Sequence, residues 1–295
     1  MKLSKKNEIN KNLFNICQIK PHKYIHANAL DPLMNLVYYT MTEAGYDCSR
    51  AINQIASSRV NIIIGAHLLN IKAIAKLPKK TILLNTEQLN NCPKEWREII
   101  ISCANNEFKV WDYSKRNLNI IKNYTNTLNC SHFPIGYNRF IDLNLYCTNS
   151  QKDIDVLFYG SLNNRRERIL KGIESLGANV VAVFGIYGKQ LDELISRAKF
   201  VINIHYYDSK ILESIRLFYL LSNRIPTISE FSYEAEDDND IATLVNGFEY
   251  ERLIEETDSL LSQDYTKICT FTASSYKKFV KRSQLDLMQD LFKEI

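Results

Sequence analysis

Short apolar runs alternate with stretches of helical periodicity along most of the chain. In the first half the apolar runs predict strands over 13–19, 60–64, 81–84, 108–111 and 132–135. Helical patterns lie between them, over 32–43, 69–77, 94–103 and 115–123. The second half repeats the rhythm, with strands over 155–159, 180–184, 200–204 and 225–229. Its helices are predicted over 164–176, 189–199 and 211–221. Continuous apolar strands separated by helices predict parallel sheets covered on both faces. The stretch 139–153 is polar and aperiodic and reads as a linker. From 248 onward the pattern is helical throughout. Leu253, Ile254, Leu260 and Leu261 form one apolar stripe, and Leu285, Leu287, Met288, Leu291 and Phe292 form another. The expected fold class is therefore α/β, with two Rossmann-like domains over 1–140 and 151–282. A C-terminal helix over 283–295 is placed to pack back on the first domain. In such sheets, ligands bind outside the carboxyl ends of the strands.

Composition narrows the function without naming it. The 295 residues are 45% hydrophobic and 24% charged, with a net charge of +4, which suits a soluble globular chain with a sizeable core. A charge this mild, with Lys and Arg spread along the chain, argues against a nucleic-acid partner. It leaves room for an anionic ligand or for weak contact with an anionic membrane surface. Seven scattered cysteines with no CxxC pair argue against a disulfide framework or a zinc site and for a reducing, cytoplasmic setting. The basic N-terminus lacks an apolar core of the signal-peptide kind, and no run of 18 apolar residues spans a membrane. A Walker loop is absent, as is a GxGxxG after the first strand, so ATPase and dinucleotide readings are weak.

Candidate chemistry gathers at strand ends. In DVLFYGSLNNRRERIL (155–170), Gly160 and Ser161 end a strand and a helix follows. A helix N-terminus offers unpaired N–H groups and a positive dipole end. Arg165 and Arg166 fall in its first turn, where cations oppose the dipole. Phosphate would offset that cost through bidentate contact, whereas solvated arginines with Asn163 or Asn164 as N-cap are the plainer alternative. In NIHYYDSKILESIRLFYLLSNRIPTISE (203–230), His205 and Lys210 crowd the end of another strand, Arg216 lies on the next helix, and Glu230 ends the next strand.

These phrases, with Phe-Gly-x-Tyr-Gly at 184–188 and Ile-Pro-Thr-Ile-Ser-Glu at 225–230, resemble the C-terminal domain of GT-B glycosyltransferases. Their flavour is that of the spore-maturation-type branch of the glycosyltransferase-1/4-like group. GAHLL (65–69), NTEQL (85–89) and VWDYSKRN (110–117) are similar to N-terminal phrases of such proteins. The resemblance implies a nucleotide-sugar donor held by Gly160, Ser161, Arg165, Arg166, His205, Lys210, Arg216 and Glu230. It also implies a hydroxyl acceptor belonging to a glycan, a lipid-linked saccharide or a protein, in polysaccharide biosynthesis. No metal or other cofactor is implied beyond the co-substrate. His67 and Glu87 are the candidate catalytic residues, each beyond a first-domain strand and each able to serve as general base. His22 and His26 are weaker candidates near a donor loop. Ser114 reads as a helix cap, and the role of Asp112 is open.

Three positions depart from the family pattern. The Glu-x7-Glu of retaining members would place acids at Ile211 and Tyr219, and the usual glycine before the last strand is Arg224. The anomeric outcome is therefore unassigned. A GT-B-fold epimerase or phosphorylase, or a non-catalytic nucleotide-sugar-binding protein, are the alternative readings. The Asp-x-Asp at 238–240 lies in an acidic stretch and reads as a solvated loop.

Overall fold

A computed structural model describes residues 13–105, 108–125, 129–147, 151–207, 211–231 and 239–295. Lys210 and the acidic stretch 234–238 lie outside the described residues. The chain divides into two compact units, 1–133 with 288–295, and 134–287.

The first unit is built on six parallel strands: β1 (Leu13–Gln18), β2 (Asp47–Ile52), β3 (Val60–Ile64), β4 (Thr81–Asn85), β5 (Lys109–Asp112) and β6 (Cys130–His132). Their order is β2-β1-β3-β4-β5-β6. The chain steps outward from β1 to β2 and then returns past β1 to β3. That reversal makes the carboxyl ends of β1 and β3 a topological switch point, where open α/β sheets leave a crevice. Helices α1 (Asp31–Glu43), α2 (Ile71–Ile74), α3 (Lys94–Asn105) and α4 (Lys115–Tyr124) connect the strands. One core cluster joins Cys17, Ile63, Leu83 and Val110 of the sheet to Ile99, Ile100 and Cys103 of α3.

The second unit carries five parallel strands: β7 (Ile154–Tyr159), β8 (Val180–Val183), β9 (Ala198–Asn203), β10 (Thr227–Glu230) and β11 (Asn246–Phe248). Their order is β11-β10-β9-β7-β8, which puts the switch point between β7 and β9. Helices α5 (Asn164–Ser175), α6 (Lys189–Arg197), α7 (Ser214–Ser222), α8 (Asn239–Ala242), α9 (Leu253–Leu261), α10 (Tyr265–Phe279) and α11 (Gln284–Leu287) belong to this unit. Apolar clusters cover both faces of the sheet: Val156, Phe158, Phe200 and Ile202 meet α5 on one, and Leu157, Val201 and Ile225 meet α6 and α7 on the other. Both faces are thus apolar, as the continuous runs require.

Helix α12 (Gln289–Phe292) belongs to the first unit. Phe292 packs on Tyr46, and Glu294 takes bonds from Ser131 and Lys109. The stretch 139–147 carries two short 3-10 turns. Asp142 in it accepts both arms of Arg224, and Leu143 N–H donates to Asn223 Oδ1 at 2.7 Å.

Three differences from the expected elements have local causes. Edge strands β2 and β11 lack a continuous apolar run, because β2 mixes polar and apolar residues with none buried and β11 has three residues. The helix expected over 69–77 is a 3-10 turn (Ala66–Leu68) and one turn of α2, capped by Asn70, whose Oδ1 accepts from Ala73 N–H. Helix α7 begins at Ser214 rather than at 211. Ile211 and Leu212 are buried ahead of it, so Glu213 becomes the N-cap residue.

Candidate functional site

At the second unit's switch point, Gly160 follows β7 with φ +135°, a backbone state that side chains rarely adopt. A Cβ there would lie 3.1 Å from Arg216 Nη2 and 3.6 Å from Arg166 Nη1. The missing side chain thus lets two guanidinium groups close over the strand end. Asn163 caps α5, its Oδ1 accepting from Arg166 N–H at 2.9 Å. Ser161 contributes its carbonyl, which accepts from Arg166 Nη1 at 2.8 Å, and its side chain is exposed.

The structure supplies internal partners for the arginines of the first turn. Arg165 makes a bidentate pair with Glu230, one arm spanning 2.5 Å, and donates to His205 O at 3.1 Å. Its guanidinium stacks 3.8 Å from the centre of the Tyr250 ring. Arg166 is buried, and its Nε donates to Ile204 O at 2.8 Å while Nη2 meets Glu213 Oε1 at 3.1 Å. The cost of cations beside the positive helix end is therefore offset by Glu230 and Glu213. Burial pushes the Glu213 carboxyl up, but Arg216 and Arg166 outweigh it and hold it below the usual range.

Arg216 is bound differently. Its Nη1 donates to Asn203 Oδ1 at 3.0 Å and lies 3.4 Å from Glu213 Oε2. Its guanidinium also lies over Tyr159, 4.9 Å from the ring centre. Nη2, the atom nearest Gly160, has no hydrogen-bond partner among the described residues. His205 is 1% exposed. Its N–H donates to Glu230 Oε2 at 2.9 Å, and its Nδ1 has no partner among the described residues. Burial pushes its imidazole down, so it is neutral near pH 7. Three arginines against two glutamates leave a net +1 among the described groups.

A second cluster occupies the carboxyl edge of the first sheet. Gly65 turns the chain after β3 at φ +80°, where a Cβ would crowd Ile19 O at 3.3 Å. The turn brings His67 Nε2 within 3.4 Å of Glu87 Oε1, beyond β4. Trp96 lies against the His67 ring at 4.5 Å. Burial pushes His67 down to about 3 and Glu87 up to about 7. The Glu87 side chain keeps 22% of its surface exposed, so water and small hydroxyls reach it. Near neutrality the imidazole is uncharged and the carboxyl is poised to exchange a proton.

Sequence reasoning missed Glu213, Asn203, Tyr250, Asn85 and Asn117. Glu213 was legible only as the partner of Arg216 three residues on, because its cap position depends on where α7 starts. Ser114 does occupy the N-cap of α4, but its side chain makes no cap bond. Asp112 takes the Ser114 N–H instead, at 2.8 Å. His22 is exposed, and His26 lies edge-on to Tyr24 at 5.4 Å.

No protein-family profile matches the chain. Two uncharacterized proteins of Acanthamoeba polyphaga mimivirus are similar in sequence. One is 30% identical over 191 residues, 62% of this chain and 62% of the relative. The other is 32% identical over 156 residues, 51% of this chain and 17% of the relative. The matches thus span less than two thirds of either relative's length. Among solved structures, Anabaena HepE in complex with UDP and glucose aligns with 96% of this chain and 99% of its own, at TM-score 0.58 and 12% identity. T4 phage BGT in complex with UDP and Mn2+ aligns with 96% of this chain and 99% of its own, at TM-score 0.55 and 14% identity. TarM aligns with 80% of this chain and 54% of its own, at TM-score 0.52 and 11% identity. The fold is the two-unit GT-B fold. Among the described residues, no helix is long and apolar enough to cross a membrane.

Proposed function

We propose that the chain is a glycosyltransferase that moves a sugar from a nucleotide-sugar donor to a hydroxyl of a glycan, lipid-linked or protein acceptor, as a step in polysaccharide assembly. One observation carries the reading: Arg216 Nη2, unpaired among the described residues, lies over side-chain-free Gly160 at the switch point of the second unit. Diphosphate suits that place. Its oxygens accept from Arg216 and from the first N–H groups of α5, and Lys210 is a further donor candidate. Arg165, Arg166, Glu213 and Glu230 hold the frame in which Arg216 presents its free edge. As the sugar–phosphate bond breaks, negative charge grows on the departing diphosphate, and the preorganised net +1 stabilises it. In this reading the arginine cluster neutralises the leaving group without a metal. The buried His205 Nδ1 is a further polar contact for the donor.

Glu87 is the proposed general base toward the acceptor hydroxyl, and His67 holds its carboxyl. HepE and T4 phage BGT are described with UDP, which makes UDP the first nucleotide to test here. The test is thermal unfolding with UDP, other nucleoside diphosphates and uridine. A ligand bound only to the native state, at a hundred times its Kd, adds about 2.7 kcal/mol of stability. At least one nucleoside diphosphate should raise Tm, and uridine should raise it less. A flat response to every nucleoside diphosphate at millimolar concentration would remove the donor site.

A further inference from the structure

Asp112 ends β5 with a side chain that is 0% exposed. A carboxylate so buried needs donors on its oxygens. Its donors include Ser114 N–H at 2.8 Å, Asn117 Nδ2 at 3.0 Å and Asn85 Nδ2 at 2.7 Å. The two amides do more than satisfy the carboxylate. Asn85 also clasps Glu87 from both sides, its Nδ2 donating to Glu87 O at 3.0 Å and its Oδ1 accepting from Glu87 N–H at 3.2 Å. Asn117, from α4, donates to Glu87 O at 2.7 Å and accepts from Leu89 N–H at 3.0 Å. Three backbone groups of the loop after β4 are thereby tied to one carboxylate on the neighbouring strand.

Capping alone does not require this arrangement. A cap bonds its own helix end, whereas the Asn85 and Asn117 donors to Asp112 reach the loop that carries Glu87. The loop and His67 beside it also carry polar atoms whose hydrogen-bonding capacity is unused among the described residues. Thr86 Oγ1 and His67 Nδ1 are buried with no hydrogen-bond partner among the described residues. A hydroxyl-bearing ligand would fill such positions.

We infer that Asp112, acting through Asn85 and Asn117, is a positioning residue that fixes the Glu87 carboxyl against His67 for proton transfer at the acceptor site. The inference rests on the reading of Glu87 as general base. An approach error of about an ångström costs about a hundredfold in rate, so a pinned loop has a catalytic use that a merely ordered loop does not.

The test uses the full chain and two variants, Asp112→Asn and Asn117→Ala. The second keeps the buried carboxylate with its Ser114 and Asn85 donors and guards against simple misfolding of the first. Carbon NMR follows the Glu87 side-chain carboxyl through a pH titration, with Glu87→Gln identifying the signal. The wild-type group should titrate near 7. In either folded variant its midpoint should drop by about one pH unit or more as the loosened loop admits water. Donor turnover should fall about tenfold or more in both, while UDP affinity stays within about twofold, since the donor groups lie in the other unit. A wild-type Glu87 midpoint in folded variants would overturn the inference, as would unchanged turnover. If wild-type protein binds no nucleoside diphosphate, the donor reading fails, and the titration still decides whether Asp112 positions Glu87.

Discussion

Replacing Arg216 by alanine separates the proposed anion contact from the frame around it. Arg216 makes one neutral hydrogen bond, to Asn203, and one longer ion pair, to Glu213. Glu213 keeps its 3.1 Å contact with Arg166 in the variant, so the buried carboxylate is not abandoned. The stability loss should therefore be about 1–3 kcal/mol, the cost of leaving the buried Asn203 acceptor without its donor. The ligand effect should be selective. A hydrogen bond to a charged group contributes about 1.5–3 kcal/mol, which converts to about a 10- to 150-fold loss of UDP affinity. Titration calorimetry with UDP, UMP and uridine reads the two effects apart. UDP should lose most, and uridine should bind the variant about as well as wild type because it carries no phosphate. Arg216→Lys should recover only part of the loss, since an ammonium cannot bond Asn203 and phosphate in one plane. Equal losses for uridine and UDP would mean that the frame collapsed. Undiminished UDP binding would assign Arg216 to the frame and refute the anion-site argument.

Gly160→Ala should weaken UDP binding and lower Tm together, because the new methyl meets Arg216 Nη2 at 3.1 Å from a backbone at φ +135°; a variant with wild-type UDP affinity would show that this edge is not approached by ligand. Turnover should rise with pH across about 7 as Glu87 loses its proton, and Glu87→Gln should abolish that limb. The stability sign follows from the same shift: the folded protein holds the Glu87 proton more tightly than the unfolded chain, so its contribution falls as pH rises from the ordinary carboxylate range to about 7. Glu87→Gln should therefore gain Tm relative to wild type at pH 8 and not at pH 4, and a pH-independent difference would contradict the burial of this carboxyl. Arg224 has φ +58°, so Arg224→Gly should be more stable than Arg224→Ala by about 1 kcal/mol; chemical denaturation of the two variants reads the difference.

The parallel sheets were legible because their strands are buried on both faces and read as unbroken apolar runs. Val60–Ile64 is the clearest case, with four of its five residues buried. Edge strands carry no such signature: Asp47–Ile52 pairs on one side only, and half its positions are exposed. The candidate site was legible where chemistry coincides with a strand end, as for His67, Glu87, Gly160 and His205. It was not legible where partners come from distant segments. Nothing local to Arg165 announces Glu230, 65 residues away, and nothing local to Glu87 announces Asn117, 30 residues away. Such pairings follow from strand order, which leaves only β9 between the ends of β7 and β10 and places the end of β5 beside that of β4.

Two departures from the glycosyltransferase pattern acquire a physical meaning from their surroundings. At Arg224 the chain keeps the left-handed turn that a glycine would adopt, ending α7 with Ile225 N–H bonded to Leu220 O at 3.0 Å. The arginine side chain offsets the strain by pairing with Asp142 through both arms and stacking 4.0 Å from the centre of the Tyr276 ring. Where the pattern has an acid, Tyr219 donates to Asp192 Oδ1 at 2.5 Å, so a carboxylate is still present there, supplied by α6. A change of residue at a motif position is therefore not, by itself, a loss of the site. The charge balance argues the same way. Buried ion pairs contribute little to stability compared with apolar packing, so three arginines and two glutamates are a poor way merely to close a sheet edge. Among the described residues, Arg165 and Arg166 pair with Glu230 and Glu213, whereas Arg216 Nη2, the atom over Gly160, has no hydrogen-bond partner. That donor edge is the feature on which the proposed anion site rests, and the Arg216→Ala titration decides between it and a structural cluster.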